Sequence, residues 1–431
     1  MRVCFYTLGC KVNLNETGAL EQMFRSAGFT IVPEGEEADV FVVNSCTVTN
    51  FGDQKSRKWL RRAKRENPGA VTVLTGCYPQ AFPEEAAQFM EADLVCGNGD
   101  RKAILDNVLK LLDGHERIVA IAPHAKGERF EELPVERFET HTRAFIKVED
   151  GCNRQCAYCV IPRARGPVRS RAEASILNEL HQLAAAGYRE VVLSAISLPS
   201  YGLDTGTNLV ELVEKCAQVE GIQRIRLGSL DPDMLTPEFI TRLAAVDKLC
   251  PQFHLSLQSG CSATLRRMRR VYTAEQYAKV VADLRAAYGE RPVSFTTDCI
   301  CGFPGETAAD FEESCAFLKE IGFLKVHVFP YSRRSGTPAY DFPDQVHERE
   351  KQDRSRKMNA LAEDIRREVL KGYEGMEDEV LLETPLSETL FTGYTRLYVP
   401  VVVSAPGHKS GEIVRVRLGE YDGERVRAAL C

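Results

Sequence analysis

The regular alternation of short strands with helices constrains the fold of this chain more than any other feature of its sequence. Near the N-terminus, three apolar runs rich in β-branched residues are each followed by a helical pattern. The predicted strands are 3–8, 40–44 and 71–75, and the predicted helices are 17–27, 54–65 and 84–90. Because strands that alternate with helices form parallel sheets, we expect a Rossmann-like parallel α/β domain over residues 1–113.

A second alternation of strands and helices predicts another α/β domain over residues 143–371. Its six strand candidates are 144–149, 190–195, 224–229, 253–258, 294–301 and 325–330. The helical patterns between them include 172–186, 209–219, 237–246, 274–287 and 308–321. Six β/α units predict an open, partial TIM-type barrel, a (β/α)6 fold in which functional residues gather at the carboxyl ends of the strands.

The remaining segments are a linker and a small C-terminal domain. Residues 114–142 lose apolar periodicity and carry Pro123, Pro134 and many charges, which is typical of a linker. A charged helix at 354–371 precedes five short strand patterns, which predict a small OB-like β-barrel over residues 372–431. These five strand patterns are 379–383, 390–393, 397–403, 412–418 and 426–429.

Two groups of side chains are candidates for RNA binding. The C-terminal barrel offers basic and aromatic side chains of the kind that bind looped RNA, and the helix pattern at 55–65 is basic around most of its circumference. The candidates in the barrel are Tyr394, Arg396, Tyr398, Lys409, Arg415 and Arg417. Since the net charge is −6, RNA binding requires local patches of this kind. An ordinary solvated surface is the alternative explanation for both groups.

The run Cys152-Asn-Arg-Gln-Cys156-Ala-Tyr-Cys159, called the loop triad below, directly follows the first strand of the predicted barrel. Three thiolates at this spacing can hold three irons of a [4Fe–4S] cluster, and the fourth iron then stays open to a substrate. Structural zinc normally takes four protein ligands, often at paired spacing. The spacing therefore favours a cluster with an open iron, and a metal-free loop of buried thiols is the alternative.

Three cysteines that are far apart in the sequence are also predicted to meet. Cys10, Cys46 and Cys77, called the sheet triad below, each fall shortly beyond the end of a predicted strand in the N-terminal domain. Because the carboxyl ends of parallel strands lie at one edge of a sheet, their thiols converge there. We expect a second three-cysteine cluster with an open iron, and coincidence of buried cysteines is the alternative.

Cysteine usage and hydropathy indicate the compartment. The chain has fifteen cysteines and no secretory signal pattern, which indicates cluster chemistry in a reducing environment rather than a disulfide framework. No apolar run approaches the roughly twenty residues that a membrane span needs, and the first residues lead directly into a strand pattern. We therefore expect a cytoplasmic protein with no membrane partner.

With these segments placed, nearly the whole chain resembles the methylthiotransferases of the radical S-adenosylmethionine (SAM) superfamily. The resemblance rests on both cysteine triads, in this order, and on a C-terminal barrel of the kind known as a TRAM domain. The matching motifs are Leu8-Gly-Cys10, Asn44-Ser-Cys46-Thr-Val48, Gly76-Cys77, Cys152 to Cys159 with Tyr158 as the aromatic position, Ile161-Pro-Arg-Ala-Arg165-Gly166, Ser170-Arg171, Ser256-Leu-Gln258-Ser-Gly260 and Gly302-Phe-Pro-Gly-Glu306.

The resemblance implies an enzyme with two [4Fe–4S] clusters and SAM as cofactors. The loop triad would hold the cluster whose open iron binds SAM and cleaves it reductively to a 5′-deoxyadenosyl radical. The sheet triad would hold the cluster that carries the sulfur to be methylated. An electron donor such as flavodoxin or ferredoxin is then required, and the sequence does not identify the sulfur donor.

The motif Thr7-Leu-Gly-Cys-Lys-Val-Asn13, followed by Glu16-Thr17, resembles one branch of the family. That branch acts on N6-threonylcarbamoyladenosine at position 37, in the tRNA anticodon stem-loop. The isopentenyladenosine branch typically has Gly-Cys-Gln-Met-Asn here, and the branch that modifies an aspartate of a ribosomal protein has Gly-Cys-Pro-Lys-Asn. Both substrates remain alternatives, and a metal-containing RNA-binding protein is the non-enzymatic alternative.

Contacts to SAM beyond the loop triad are predicted from barrel geometry. Ser256, Gln258 and Asp298 end the fourth and fifth predicted strands and can face the ribose or amino groups of SAM or the substrate. Packing inside the barrel is the alternative role. The stretch from Ser194 to Ser197 departs from the usual family motif, which puts any SAM or substrate role at these two serines in doubt.

Overall fold

The computed structural model describes residues 1–133 and 142–431. The first unit is a six-stranded parallel sheet flanked by helices. Its strands are β1 Arg2–Thr7, β2 Thr30–Val32, β3 Val40–Ser45, β4 Val71–Gly76, β5 Leu94–Cys96 and β6 Ile118–Ala120, in the order β2-β1-β3-β4-β5-β6. Its helices are α1 Lys11–Ser26, α2 Asn50–Glu66, α3 Cys77–Ala81, α4 Pro83–Ala87 and α5 Lys102–Leu112.

Two boundaries in this unit differ from the sequence prediction. Helix α1 begins at Lys11 rather than at residue 17, because its first turns bury the polar side chains of Asn13, Asn15 and Glu16 instead of apolar ones. Strand β6 lies inside the predicted linker and is mostly exposed, so it lacks the apolar pattern of a core strand. Residues 134–141 of the predicted linker, including Pro134, lie outside the described residues.

The second unit contains the predicted six barrel strands, all in parallel pairing, and adds the short β8. The strands are β7 Ala144–Asp150, β8 Arg169–Ser170, β9 Glu190–Ala195, β10 Arg224–Leu227, β11 Ser229–Leu230, β12 Gln252–Leu255, β13 Ser294–Cys301 and β14 Lys325–Pro330. They form two sheets, β10-β9-β7-β8 and β11-β12-β13-β14. Gly228 divides the predicted third strand into β10 and β11, and a parallel bridge between Ile225 and Leu249 joins the two sheets.

Helices cover the outer face of this partial barrel and enclose a continuous apolar core. They are α6 Ile161–Arg165, α7 Glu173–Ala185, α8 Leu209–Ala217, α9 Pro237–Ala244, α10 Ser262–Arg267, α11 Ala274–Tyr288 and α12 Ala308–Ile321. Alternation along the strands directs Phe253, Leu255 and Phe295 into that core. The intervening His254 and Thr296 therefore face the lumen, the space inside the barrel, and their side chains are hydrogen-bonded to each other at 3.0 Å.

The third unit is a closed five-stranded barrel that follows a long helix, α13 Glu348–Lys371. Its strands are β15 Glu377–Pro385, β16 Leu390–Thr395, β17 Pro400–Ser404, β18 Ile413–Tyr421 and β19 Val426–Leu430, in the order β15-β16-β17-β19-β18. The third strand begins at Pro400, later than predicted, because Tyr398 has a positive φ of 65° in a turn that Thr395 closes by side-chain hydrogen bonds.

The small barrel covers the amino ends of the large barrel's strands. Ser294, at the start of β13, donates a hydrogen bond to the carbonyl of Leu397 at 2.5 Å, and Arg226 of β10 donates to the carbonyl of Thr395. The N-terminal unit contacts the large barrel elsewhere, where Asn15 of α1 donates to the carbonyl of Phe145 in β7 at 2.7 Å. The carboxyl ends of the strands, where the loop triad lies, are therefore left to the N-terminal unit.

Among the described helices, none is long and apolar enough to cross a membrane.

Candidate active site

The sheet triad lies at the carboxyl edge of the first sheet. Cys46 directly follows β3, Cys77 directly follows β4, and Cys10 precedes α1 shortly after β1. Because β1, β3 and β4 are adjacent and parallel, these three positions converge. A Cβ atom on Gly9 would lie 3.1 Å from the Cβ of Cys46. The three thiols therefore share one neighbourhood, as the sequence predicts.

Two asparagines and a glycine fix this arrangement. Asn13 donates to the side chain of Asn44 at 3.1 Å, and the Cys10 thiol donates to Asn13 at 3.2 Å. Gly76 has a φ of 99°, and a Cβ there would lie 2.5 Å from the carbonyl oxygen of Ser45. Only glycine lets Cys77 start a helix this close to the neighbouring strand.

The loop triad lies on the connection between β7 and α6. Backbone hydrogen bonds hold this loop, from Cys152 to the carbonyl of Gly166 at 3.0 Å and from Ala157 to the carbonyl of Met268 at 2.9 Å. Gly151, with a φ of 97°, begins the loop at a point where a Cβ would clash with the carbonyl of Pro167. The three cysteines thus lie at the mouth of the barrel on a loop whose path is set by its backbone.

Burial keeps cysteines of both triads protonated until a metal replaces the proton. Burial, with the neighbouring Cys77 and Cys10 thiols, raises the pKa of Cys46 to about 12. Burial likewise raises the pKa of Cys159 to about 12 and that of Cys152 to about 11. A metal ligand must be a thiolate, so loading either site releases protons and becomes easier as pH rises.

A cavity of about 200 Å³ lies between the two triads. Its lining comes from the loop after Cys46, from the loop triad and from the ends of β13 and β14. The lining residues are Val48, Thr49, Tyr158, Cys159, Val160, Ile161, Gln258, Asp298, Ile300, Phe329, Pro330, Tyr331 and Ser332. One small group placed in this cavity can therefore approach both triads.

The predicted SAM contacts divide into two groups. Tyr158, Gln258 and Asp298 line this cavity. Ser256 lies outside that lining, and its carbonyl accepts a hydrogen bond from the Tyr272 hydroxyl. Gln258 has a positive φ of 70°, and backbone hydrogen bonds to Asp298 and Ile300 hold it there.

Ser194 and Ser197, at the departure from the usual motif, are buried and take part in internal hydrogen bonds. Ser194 donates to the carbonyl of Ile146 at 3.1 Å, and the hydroxyls of Ser197 and Ser200 are 2.8 Å apart. The backbone of Ser197 donates to Glu149 at 2.9 Å. Each of these two side chains has a hydrogen-bond partner within the protein.

Arg334 links the two units at this cavity. Its guanidinium donates to Thr47 and to Asp53, each at 2.6 Å, and is almost completely buried. Asn50 adds a hydrogen bond to the carbonyl of Arg333 at 3.0 Å. No sequence motif pointed to Arg334, because its partner Asp53 lies 281 positions away.

A buried charge network connects the sheet triad to the barrel. Arg165 donates to the Cys77 sulfur at 3.1 Å and to Glu16 at 2.5 Å. Arg101 and Lys147 also contact Glu16, at 2.7 and 2.8 Å. Burial alone would raise the pKa of Glu16, but these three cations outweigh it and lower that pKa to about 2. Glu16 is therefore ionised at neutral pH.

The loop triad receives a similar donor. Arg270 donates to the Cys156 sulfur at 3.2 Å and to Asp231. One buried guanidinium therefore contacts one cysteine sulfur in each triad. Hydrogen bonds of this kind stabilise a thiolate and shift the reduction potential of a bound cluster.

The geometry of the donors fits clusters better than single metal ions. Among residues 1–133 and 142–431, one group of three has ligand atoms within 4.8 Å of one another: Cys261, Asp310 and Glu313. It contains no member of either triad. Since zinc–sulfur bonds are about 2.3 Å long, the sulfurs around one zinc ion lie within that limit. Both triads fit a larger metal centre, such as an iron–sulfur cluster.

Most of the predicted RNA contacts are engaged within the protein. Tyr394 and Tyr398 stack at 4.5 Å against each other and under Arg143, and Arg396 donates to the carbonyl of Leu249. These three side chains lie in the contact with the large barrel, which the sequence could not indicate. Lys409, Arg415 and Arg417 are exposed, although Glu377 lies near the two arginines.

The basic helix α2 carries its own counterions. Arg61 pairs with Glu91 at 2.8 Å, and Lys64 pairs with Asp93 at 2.7 Å. Arg57 pairs with Glu85, and Arg62 with Glu66. A solvated, internally neutralised face explains this helix better than a phosphate-binding surface does.

Comparison with known protein families accounts for both triads. Residues 2–97 match the family described as "Uncharacterized protein family UPF0004", and residues 146–318 match the radical SAM superfamily. A "Threonylcarbamoyladenosine tRNA methylthiotransferase MtaB" of Bacillus subtilis is 40% identical, with 96% of this chain and 93% of the relative covered. The chain belongs to the radical SAM methylthiotransferase family.

Two further relatives and one solved structure extend this comparison. A protein of Thermotoga maritima with the same name as the Bacillus relative is 34% identical over 98% of the methylthiotransferase chain and 93% of its own. A "tRNA-2-methylthio-N(6)-dimethylallyladenosine synthase" of Carboxydothermus hydrogenoformans is also 34% identical, with 96% of each chain covered. The solved methyltransferase TsrM from Kitasatospora setae shares the fold, with a TM-score of 0.57 at 15% identity, covering 78% of this chain and 76% of its own.

The cofactors of this enzyme are [4Fe–4S] clusters and SAM, as the superfamily match and the methylthiotransferase relatives imply.

Proposed function

We propose that this methylthiotransferase transfers a methylthio group to C2 of N6-threonylcarbamoyladenosine at position 37 of tRNA. The observation that carries the proposal is the single cavity lined from both sides, by the loop after Cys46 and by Tyr158 and Cys159. Three of the relatives described above act on tRNA by name, and two of them are named for threonylcarbamoyladenosine. The anticodon stem-loop is then the macromolecular partner.

We assign the loop triad to the cluster that binds SAM and the sheet triad to the cluster that carries sulfur. Once bound, the cofactors supply reductive SAM cleavage and the sulfur for transfer. The protein supplies thiolate ligands, and Arg165 and Arg270 donate hydrogen bonds to one sulfur of each triad. Tyr158, Gln258 and Asp298 are the candidate SAM contacts, because they line the same cavity.

Arg334 and Asn50 hold the two units together across this cavity and limit the access of water to it. Exclusion of water matters because a radical formed from SAM reacts with any nearby hydrogen donor. The reductant is an electron donor such as flavodoxin or ferredoxin. The sulfur donor stays unassigned.

The dimethylallyladenosine relative supports a second candidate substrate, isopentenyladenosine at the same tRNA position. Mass spectrometry of nucleosides from the tRNA of a deletion strain and of its complemented strain distinguishes the two. We expect the 2-methylthio derivative of threonylcarbamoyladenosine to disappear on deletion and return on complementation. Loss of the isopentenyl derivative alone would replace the proposal with the second candidate, and no change in either would reject both.

A further inference from the structure

Lys11 lies beside the sheet triad without an ion-pair partner. It directly follows Cys10 and is the first residue of α1, and its side chain is exposed. Within residues 1–133 and 142–431, no acidic side chain forms an ion pair or hydrogen bond with its ammonium group. The nearby arginines differ, because Arg143 pairs with Glu383 at 2.7 Å and Arg226 pairs with Glu190 at 2.6 Å.

Electrostatic effects on two other residues place Lys11 in the barrel lumen. Burial would raise the pKa of Tyr398, but the charges of Arg143 and Lys11 outweigh it and lower that pKa. Burial lowers the pKa of His327 in β14, and the charge of Lys11 adds to this effect. An ammonium group close to both residues lies inside the barrel, and not on its outer surface.

The lumen at this level adjoins the cavity between the triads. His327 is the β14 partner of Asp298 in β13, and Asp298 lines that cavity. His254 approaches Asp298 at 3.5 Å, so this carboxylate already has a polar neighbour. Lys11 is therefore an uncompensated cation in the space that a nucleobase must enter to reach both triads.

We propose that Lys11 binds the carboxylate of the threonylcarbamoyl substituent and thereby selects this substrate. This inference rests on the proposed function, since the carboxylate belongs to the substrate named there. The isopentenyl substituent is an uncharged hydrocarbon, and it would leave the ammonium group unpaired in an enclosed space. Leaving a charged group without its partner disfavours such a ligand more than a missing apolar contact does.

Two other anions can reach the lumen, namely an RNA phosphate and the carboxylate of SAM. A phosphate contact would strengthen binding of every stem-loop, whatever the modification at position 37. A contact with SAM would change SAM cleavage in the absence of RNA. The carboxylate of the substrate is favoured because Lys11 is adjacent to Cys10, next to the site of sulfur transfer.

The test compares holoenzyme variants by their affinity for anticodon stem-loops that carry adenosine, isopentenyladenosine or threonylcarbamoyladenosine at position 37. Lys11→Gln should weaken binding of the threonylcarbamoyl stem-loop about 10- to 100-fold, as expected for loss of one charge-assisted hydrogen bond. Its affinity for the adenosine stem-loop and its SAM cleavage without RNA should not change. Lys11→Arg should retain most of the preference.

Lys102→Gln is the matched control, because Lys102 is the exposed first residue of another helix, α5. It should bind all three stem-loops like the wild type. Equal weakening of every stem-loop by Lys11→Gln, or no weakening at all, would overturn the proposal. Altered SAM cleavage by Lys11→Gln with unchanged affinity for the threonylcarbamoyl stem-loop would instead assign the residue to SAM.

A change in the ligand tests the proposal even if Lys11→Gln loses its clusters. A stem-loop whose threonyl carboxylate is methyl-esterified should bind the wild-type enzyme about 10- to 100-fold more weakly than the free acid. Equal affinities would overturn the inference, although methylthiolation of the free acid would still support the proposed function. A wild-type enzyme that modifies only the isopentenyl stem-loop would reject the function, and the inference with it.

Discussion

The loop triad and the sheet triad lie beside the same cavity, but different parts of the fold bring their cysteines together. The loop triad is contained in one short loop, from Cys152 to Cys159, that follows a single strand. The sheet triad needs three strands in parallel register, because Cys10, Cys46 and Cys77 come from successive strand ends. The first site therefore depends on local chain geometry, and the second depends on the folding of a whole domain.

The two sites also differ in what surrounds them. Arg270 reaches Cys156 from within the barrel that carries the loop triad. Arg165 reaches Cys77 from the other unit and is held by Glu16 and Asp150 in a buried network. The sheet triad thus depends on the contact between the two units, and the loop triad does not.

The largest expected effect is loss of all radical chemistry when the loop triad is removed. Replacing Cys152, Cys156 and Cys159 together by Ala should abolish 5′-deoxyadenosine formation with dithionite and leave about four irons per chain on the sheet triad. Product analysis and iron determination measure the two effects. Continued 5′-deoxyadenosine formation by this variant would show that the loop triad is not the radical site.

Removal of the sheet triad should uncouple the chemistry instead. Replacing Cys10, Cys46 and Cys77 by Ala should preserve SAM cleavage, since the loop triad is locally formed, while methylthiolated product falls below detection. Assays of 5′-deoxyadenosine and of modified nucleoside on the same samples check both parts. If the variant still methylthiolates tRNA, these three cysteines only pack the sheet edge.

The dependence of the sheet triad on the domain contact predicts a stability effect at Arg165. Arg165→Met leaves Glu16 and Asp150 buried with one cation fewer, so the free energy of unfolding should fall by about 3–5 kcal/mol. Arg61→Met is the control, because its pair with Glu91 is exposed and should contribute less than about 1 kcal/mol. Urea unfolding of the wild type and both variants measures the difference, and equal midpoints would contradict it.

Acid should weaken the same network by a smaller amount. The folded-state pKa of Glu16 is about 2, below its ordinary value of 4.5, so its stabilising effect is present above pH 4.5 and is lost as pH falls towards 2. The difference in unfolding free energy between wild type and Glu16→Gln should therefore shrink by up to about 3 kcal/mol over that range. A difference that stays constant between pH 7 and pH 3 would mean that Glu16 is not held ionised.

Sequence patterns predicted the strands well because those strands carry a strong apolar signal. The barrel strands β7, β9, β13 and β14 agree with the predictions to within about one residue, and their residues are rich in Val, Ile and Phe. Strand β6 was missed because it is short and mostly exposed. The start of α1 was missed because buried polar residues replace the apolar period there.

Within the candidate site, sequence analysis identified the cysteines but not the residues that position them. Arg165 appeared only as part of a family motif, and its contact with Cys77 spans 88 positions. Tyr398 was predicted as an RNA contact, yet it packs against Arg143 and Arg226 between two units. Periodicity identifies which face of an element is buried, whereas contacts between domains depend on tertiary geometry that no local pattern encodes.

The most direct test of the central claim is the iron content of the anaerobically reconstituted enzyme and its two triple variants. Two clusters that face one cavity require about eight irons per wild-type chain and about four in each variant, since each cluster holds four irons. Eight, four and four irons are the result that we predict. About four irons in the wild type, with none left after removal of the loop triad, would show that the sheet triad holds no cluster and would contradict this account.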